Sequence, residues 1–306
     1  MLSSQLDLVG SIVNVASVPK LSPFRYPGGK TWLVPTIRRW LASARPRPRE
    51  FLEPFVGGGI ISLTVAMERL ADHVTMVELD EDVGAVWSTV LEGEADWLAG
   101  RITSFDLTPE NARAALDLKA KNTRELAFQT ILKNRIQRGG ILAKGAGWIK
   151  VGEGGKGIAS RWYPETLATR LKAIGTLSRE CISFHQGDGL EAMRAVVPRA
   201  DAFCFIDPPY TAGKGKRAGS RLYTHNVIDH EALFVIAASL QGDFLMTYDN
   251  APDIVEMAKR HGFSTRLVPM KSTHHAEMTE LLIGRDLRWL DAPSLTLAPS
   301  RSHRRN

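Results

Sequence analysis

The stretch FLEPFVGGGIISLTVAM, Phe51–Met67, decides the fold. It reads as a short strand, Phe51–Phe55, running into Gly57, Gly58 and Gly59 and then into a helix from Ile60. A nearly continuous apolar run marks a parallel strand covered on both faces, and glycine lets the chain turn sharply into the helix. Outward from this stretch the rhythm repeats. Val74–Glu78 (VTMVE), Cys181–His185 (CISFH), Ala202–Ile206 (AFCFI) and Phe244–Tyr248 (FLMTY) read as strands, with Thr279–Ile283 (TELLI) a late one. Trp32–Leu41, Ile60–Leu70 and Glu231–Leu240 read as helices between them. Such alternation predicts an α/β fold with helices against a largely parallel sheet.

The rhythm breaks between about Leu91 and Ser178. That stretch is more polar and places two helix-like segments around a glycine-rich patch, GGILAKGAGWIKVGEGGKG. It reads as an inserted second domain. The organisation expected is an N-terminal extension (1–22), an α/β main body (23–90 and 179–290), an insert (91–178) and a flexible basic tail (291–306). With 39 Lys+Arg against 33 Asp+Glu, the chain of 306 residues carries a formal charge of +6 and is 44% hydrophobic, which excludes disordered and fibrous classes. No apolar run reaches the ~20 residues a bilayer span needs. The first residues lack the basic and apolar regions of a signal peptide, so a cytoplasmic protein is expected. Cys181 and Cys204 are the only cysteines, and both fall in strand-like runs, where reduced, buried thiols are expected.

The glycine turn has two readings: a backbone that approaches a ligand, or one that only needs close packing. Glu78, 19 residues after Gly59 at the end of the next strand, favours a ligand, because an acid at that spacing receives ribose hydroxyls in nucleotide-binding folds. The glycine spacing matches neither G-x-G-x-x-G nor a P-loop, so an adenosine-containing ligand without phosphates fits best. Asp80 and Asp82 read as caps of the following helix. A second site candidate is FCFIDPPY, Phe203–Tyr210. Here a buried strand ends in Asp207, Pro208, Pro209 and Tyr210, where the carboxyl edge of such a sheet opens a crevice. The prolines fix the backbone, so that the Asp207 carboxylate and a backbone carbonyl can converge on the two hydrogens of an amine. Tyr210 offers a face on which an extruded base can stack. Pro23–Lys30 (PFRYPGGK) is ambiguous on its residues alone. Gly28, Gly29 and Lys30 before a helix suit either an anion site or a turn with an exposed lysine.

Together these blocks resemble the Dam-like (D12 class) DNA adenine-N6 methyltransferases. PFRYPGGK, FLEPFVGGG and FIDPPY occur in that family's order, with weaker echoes in VELDED, KNRIQRGG, QGDGLEAM and TELLIGR, so the similarity spans about residues 23–285. The resemblance implies a Rossmann-like sheet that uses S-adenosylmethionine, with a mainly helical target-recognition insert. It implies that Tyr26, Gly28, Gly29, Lys30, Glu53, Pro54, Phe55, Gly57, Gly59, Glu78, Asp188 and Asp207 bind the cofactor. Asp207, Pro208, Pro209 and Tyr210 would be catalytic. The family more often has Asp where this chain has Glu78.

The partner implied is duplex DNA. Lys133, Arg135, Arg138, Lys144 and Lys150 lie in a window, Lys133–Arg161, with seven bases and one acid. Lys214, Lys216, Arg217 and Arg221 follow the DPPY tetrapeptide without any acid. Both runs suit phosphate contact, and Tyr223 suits the wall of a base pocket. His225, His274 and His275 are given no role, and no metal is expected. Rival readings are cytosine-N4 methylation of DNA, adenine methylation of RNA, and a catalytically silent DNA-binding subunit. A monomer or weak dimer is expected, with a restriction endonuclease or other defence component as a candidate partner.

Overall fold

The computed structural model describes residues 17–26, 28–177, 180–209, 228–271 and 277–291. Seven strands form one sheet in the order β3-β2-β1-β4-β5-β7-β6. They are β1 (Glu50–Glu53), β2 (His73–Glu78), β3 (Ile182–Gln186), β4 (Ala202–Ile206), β5 (Phe244–Asp249), β6 (Ser264–Lys271) and β7 (Glu277–Gly284). The first five pair in parallel, and β7 runs antiparallel between β5 and β6. The α/β fold expected from the alternation is therefore present, as a Rossmann-like sheet with helices on both faces. β6 is the strand that sequence reading missed. Pro269 interrupts its pattern, and it stands at the sheet edge, where a missing N–H is tolerated.

Alternate residues of each strand feed opposite faces. Phe51, Val74, Met76, Phe205, Leu245 and Leu282 pack on one side, against α1 (Val34–Ser43), α2 (Ile60–Met67) and α3 (Glu81–Thr89). Leu52, Val77, Cys204, Ile206, Met246, Tyr248, Leu281 and Ile283 pack on the other. That second face is covered by α8 (Gly189–Val196), α9 (His230–Ser239) and α10 (Pro252–Arg260). Cys204 is fully buried, and burial pushes its thiol up to about 12, so it is inert packing material.

Between β2 and β3 the chain forms four further α-helices rather than the two expected. They are α4 (Ala95–Thr103), α5 (Pro109–Asp117), α6 (Thr123–Ile136) and α7 (Pro164–Gly175). The extra boundaries come from caps. Thr108 accepts from the Asn111 N–H and starts α5, and Asn122 accepts from the Glu125 N–H and starts α6. Leu98, Ile102, Phe128, Ile131, Leu167 and Leu171 from these helices join the same apolar cluster as the first face of the sheet. The apolar side chains of these helices are thus continuous with that face of the sheet. Among the described residues no helix is long and apolar enough to cross a membrane.

Candidate functional site

β1 is flanked by β2 on one side and β4 on the other, so the chain's winding reverses there. In open α/β sheets ligands bind at this switch point, beyond the carboxyl ends of the strands. A cavity of about 340 Å³ lies there. It is lined by Tyr26 and Lys30, by Glu53 to Ile60, and by Glu78, Asp188, Asp207 and Pro209. All the residues assigned above to the cofactor reach this one cavity, as do Pro208 and Pro209. Tyr210, Lys214, Lys216, Arg217, Arg221, Tyr223, His225, His274 and His275 lie outside the described residues, as does the tail beyond Asp291.

The glycine loop is held by its neighbours as much as it is shaped for a ligand. Gly57 and Gly59 have φ of +45° and +66°, which disfavour any Cβ. A Cβ on Gly57 would also stand 2.6 Å from the Tyr26 ring, and one on Gly59 would stand 2.7 Å from the Trp87 ring. Trp87 donates from Nε1 to the Gly57 carbonyl at 3.0 Å, and Ser22 donates to the Gly58 carbonyl. Glu78 ties the loop down from β2. Its carboxylate accepts the Gly57 N–H at 2.8 Å and the Leu79 and Asp80 N–H groups at 3.0 Å. Burial raises the Glu78 carboxyl above its ordinary value, and the Asp80 and Gly57 amides oppose that rise. Glu78 therefore has a structural duty in addition to the ribose contact expected of it.

Other acids on this edge are helix caps. Asp80 accepts from the Asp82 and Val83 N–H groups, Asp188 from Leu190 and Glu191, and Asp229 from Ala232. The caps are why acids recur where the strands end, and they leave these side chains on the cavity rim.

The floor is more charged and drier. Lys30 is 4% exposed, and its ammonium reaches Asp207 Oδ2 at 2.9 Å and Glu280 Oε1 at 3.4 Å. It also donates to the Gly28 carbonyl at 2.8 Å. Of the two readings left open for PFRYPGGK, the exposed lysine does not hold. Asp207 Oδ1 accepts from the Thr247 hydroxyl at 2.8 Å. Burial pushes the Glu53 carboxyl up to about 8, against the pull of the Ser62 N–H it accepts at 2.8 Å. Burial thus favours the neutral form of Glu53, in a cluster where Lys30 is the cation.

The Tyr26 segment is fastened by α6 and α7. Asn134 accepts the Arg25 N–H and donates to the carbonyls of Arg25 and Gly140, each at 2.8–2.9 Å. Gly140 has φ +75°, and a Cβ there would fall 2.1 Å from the Arg25 carbonyl oxygen. Arg135 donates to the Pro23 carbonyl, and Arg170 donates to the Ser22 carbonyl at 3.1 Å. This corrects the assignment of Arg135 to DNA. It is 5% exposed, and burial, with Arg170 and Arg25 nearby, lowers its guanidinium to about 9. The basic spacing of KNRIQRGG could not show that one of its bases faces inward. Lys133 is half-buried on Asp82 at 3.0 Å. Arg138, Lys144 and Lys150 are exposed.

Sequence reasoning also missed Thr247, Trp87, Asn134 and Glu280. Glu280 lay within the TELLIGR echo, but only the antiparallel course of β7 carries it to the site edge, opposite Asp249 at the end of β5.

Residues 26–124 match the D12 class N6 adenine-specific DNA methyltransferase family. The matched span takes in Tyr26–Lys30, the glycine loop and Glu78, and ends before Asp207. It supports methyl transfer as the chemistry and S-adenosylmethionine as the methyl donor. The donor set fits that cofactor: carboxylates on the rim for hydroxyls, and Val83, Leu142 and Ile228 as apolar walls for an adenine. No curated protein matches the sequence. Among solved structures, the chain is similar to a putative RNA methyltransferase, PH1948, from Pyrococcus horikoshii, at 11% identity, covering 92% of each chain with a TM-score of 0.35. It is also similar to a precorrin-6y C5,15-methyltransferase from Geobacter metallireducens GS-15, at 9% identity over 85% of this chain and 91% of that one, with a TM-score of 0.33. The methyltransferase domain of bacterial CtHen1-CN aligns at 9% identity over 82% and 97%, with a TM-score of 0.33.

Proposed function

We propose that the protein transfers a methyl group from S-adenosylmethionine to N6 of an adenine turned out of duplex DNA. The observation that carries this reading is that Asp207, Pro208 and Pro209 open on the same cavity as the glycine loop. The family match over residues 26–124 supplies the choice of adenine and DNA. When bound, S-adenosylmethionine supplies an electrophilic methyl group. The chain's own work is then to hold a weak nucleophile in line and draw its lone pair out of the ring. Asp207, fixed by Thr247 and Lys30, and the carbonyl of Pro208, fixed by the two proline rings, accept the two amine hydrogens. Their contribution is positioning and electrostatic polarisation rather than strong base catalysis. Exposed Arg138, Lys144 and Lys150, with the basic run after Tyr210, would meet backbone phosphates.

The test is to incubate the protein with labelled S-adenosylmethionine and either duplex DNA or RNA, and to identify the methylated nucleosides by mass. N6-methyladenine from DNA is expected. Asp207→Ala should abolish it while the cofactor still binds. N4-methylcytosine, or product from RNA alone, would replace the substrate assignment. Saturable cofactor binding with no transfer to either would mark a silent DNA-binding subunit. Near-normal methylation by Asp207→Ala would remove the catalytic assignment.

A further inference from the structure

Lys30 is held between two carboxylates, and only one of them faces the cavity. Asp207 lines it, whereas Glu280 lies behind, 6% exposed on β7. Glu280 Oε1 is 3.4 Å from the Lys30 ammonium, and Oε2 is buried with no hydrogen-bond partner among the described residues. Buried carboxylate oxygens are seldom left unmatched, because each costs desolvation without return. Among the described residues, Lys30 is the cation that offsets the burial of this acid.

We propose that Glu280 is a positioning residue that competes with Asp207 for Lys30, and so sets how strongly Asp207 accepts the substrate amine. This rests on the reading of Asp207 given above. In the transfer, the nitrogen lone pair forms the new N–C bond while the C–S bond breaks with its electrons going to sulfur. The methylated nitrogen is left cationic, with two hydrogens. One leaves as a proton to the Asp207 carboxylate and is released to solvent with the products. An Asp207 that bore the whole charge of Lys30 would accept poorly at both stages. An ionised Glu280 draws part of that charge away, and Thr247 keeps Asp207 in place meanwhile.

The groups facing Glu280 set the pH at which this happens. They are Lys30 before α1, Asp207 after β4, and Asp249 on β5, while Val268 on β6 is apolar. Burial, which favours the neutral form of Glu53, limits the negative charge that it adds to the cluster. Burial pushes Glu280 up to about 7, Lys30 opposes the rise, and Asp207 and Asp249 reinforce it. Glu280 is therefore ionised above about pH 7, and transfer should quicken as pH rises through that point.

Two measurements on Glu280→Gln test this. Infrared titration of the protein alone should show a buried carboxyl that titrates near pH 7 in the wild type and is missing from the variant. Single-turnover methyl transfer should be about tenfold slower in the variant above neutral pH, with the rise lost, because a weakened acceptor forfeits part of the electrostatic polarisation of the amine. Cofactor affinity should be unchanged and the variant should remain folded, and Glu280→Asp should restore part of the rise. A wild-type rate and pH profile in Glu280→Gln would overturn the proposal. So would loss of cofactor binding and folding in step with activity, which would reveal a merely structural role. If the wild type methylates no nucleic acid, the substrate reading fails by itself, while the infrared titration still reports on whether Glu280 shares Lys30.

Discussion

Glu53 offers a quantitative check on the site's electrostatics that does not depend on any substrate. Its carboxyl is buried at the end of β1, with the Ser62 N–H as its close donor. Desolvation carries it from 4.5 to about 8 on folding. The folded state then holds a proton that the unfolded chain has released, so stability is greatest below the unfolded value and falls as pH rises towards the folded one. Between pH 5 and pH 8 about three-quarters of the shift is felt, and at 1.36 kcal/mol per unit that amounts to about 3.5 kcal/mol. Glu53→Gln keeps the shape and the acceptor for Ser62 but cannot ionise. Urea unfolding of both proteins at pH 5 and pH 8 is the assay. The wild type should lose about 3.5 kcal/mol more than the variant between the two conditions. Glu78 and Glu280 titrate in both proteins, so the difference isolates Glu53. Equal losses would refute the reasoning and mean that Glu53 ionises freely in the folded protein.

Gly59→Ala must adopt φ +66° and drive a methyl group into the Trp87 ring, which should cost about 2–4 kcal/mol in denaturant unfolding and weaken cofactor binding. Arg135→Gln should cost about 1–3 kcal/mol of stability, through the loss of its bond to the Pro23 carbonyl, and leave the salt dependence of DNA binding unchanged. Arg138→Ala, Lys144→Ala and Lys150→Ala should each lower that salt slope by about one while leaving unfolding unaltered. The same slope in all four variants would remove the basic window from the DNA interface.

The sequence by itself determined the layered fold and the cluster of residues at its ligand edge. Strand periodicity, the glycine turn and the proline pair are properties of neighbouring residues, and local physics makes them readable. Phe51 and Leu52 face opposite layers because successive residues of a strand must do so. The tertiary structure alone decided which charges face each other. Nothing local distinguishes Arg135, which holds the Pro23 carbonyl, from Arg138, which meets solvent three residues on. Nor does spacing bring Lys30 to Glu280, 250 positions apart in sequence. That meeting needs β7 to enter antiparallel beside β5, so that its first residues reach the edge where β1 and β4 end. Burial then does the rest, since an acid or a base acquires its working pKa only from the company the fold gives it.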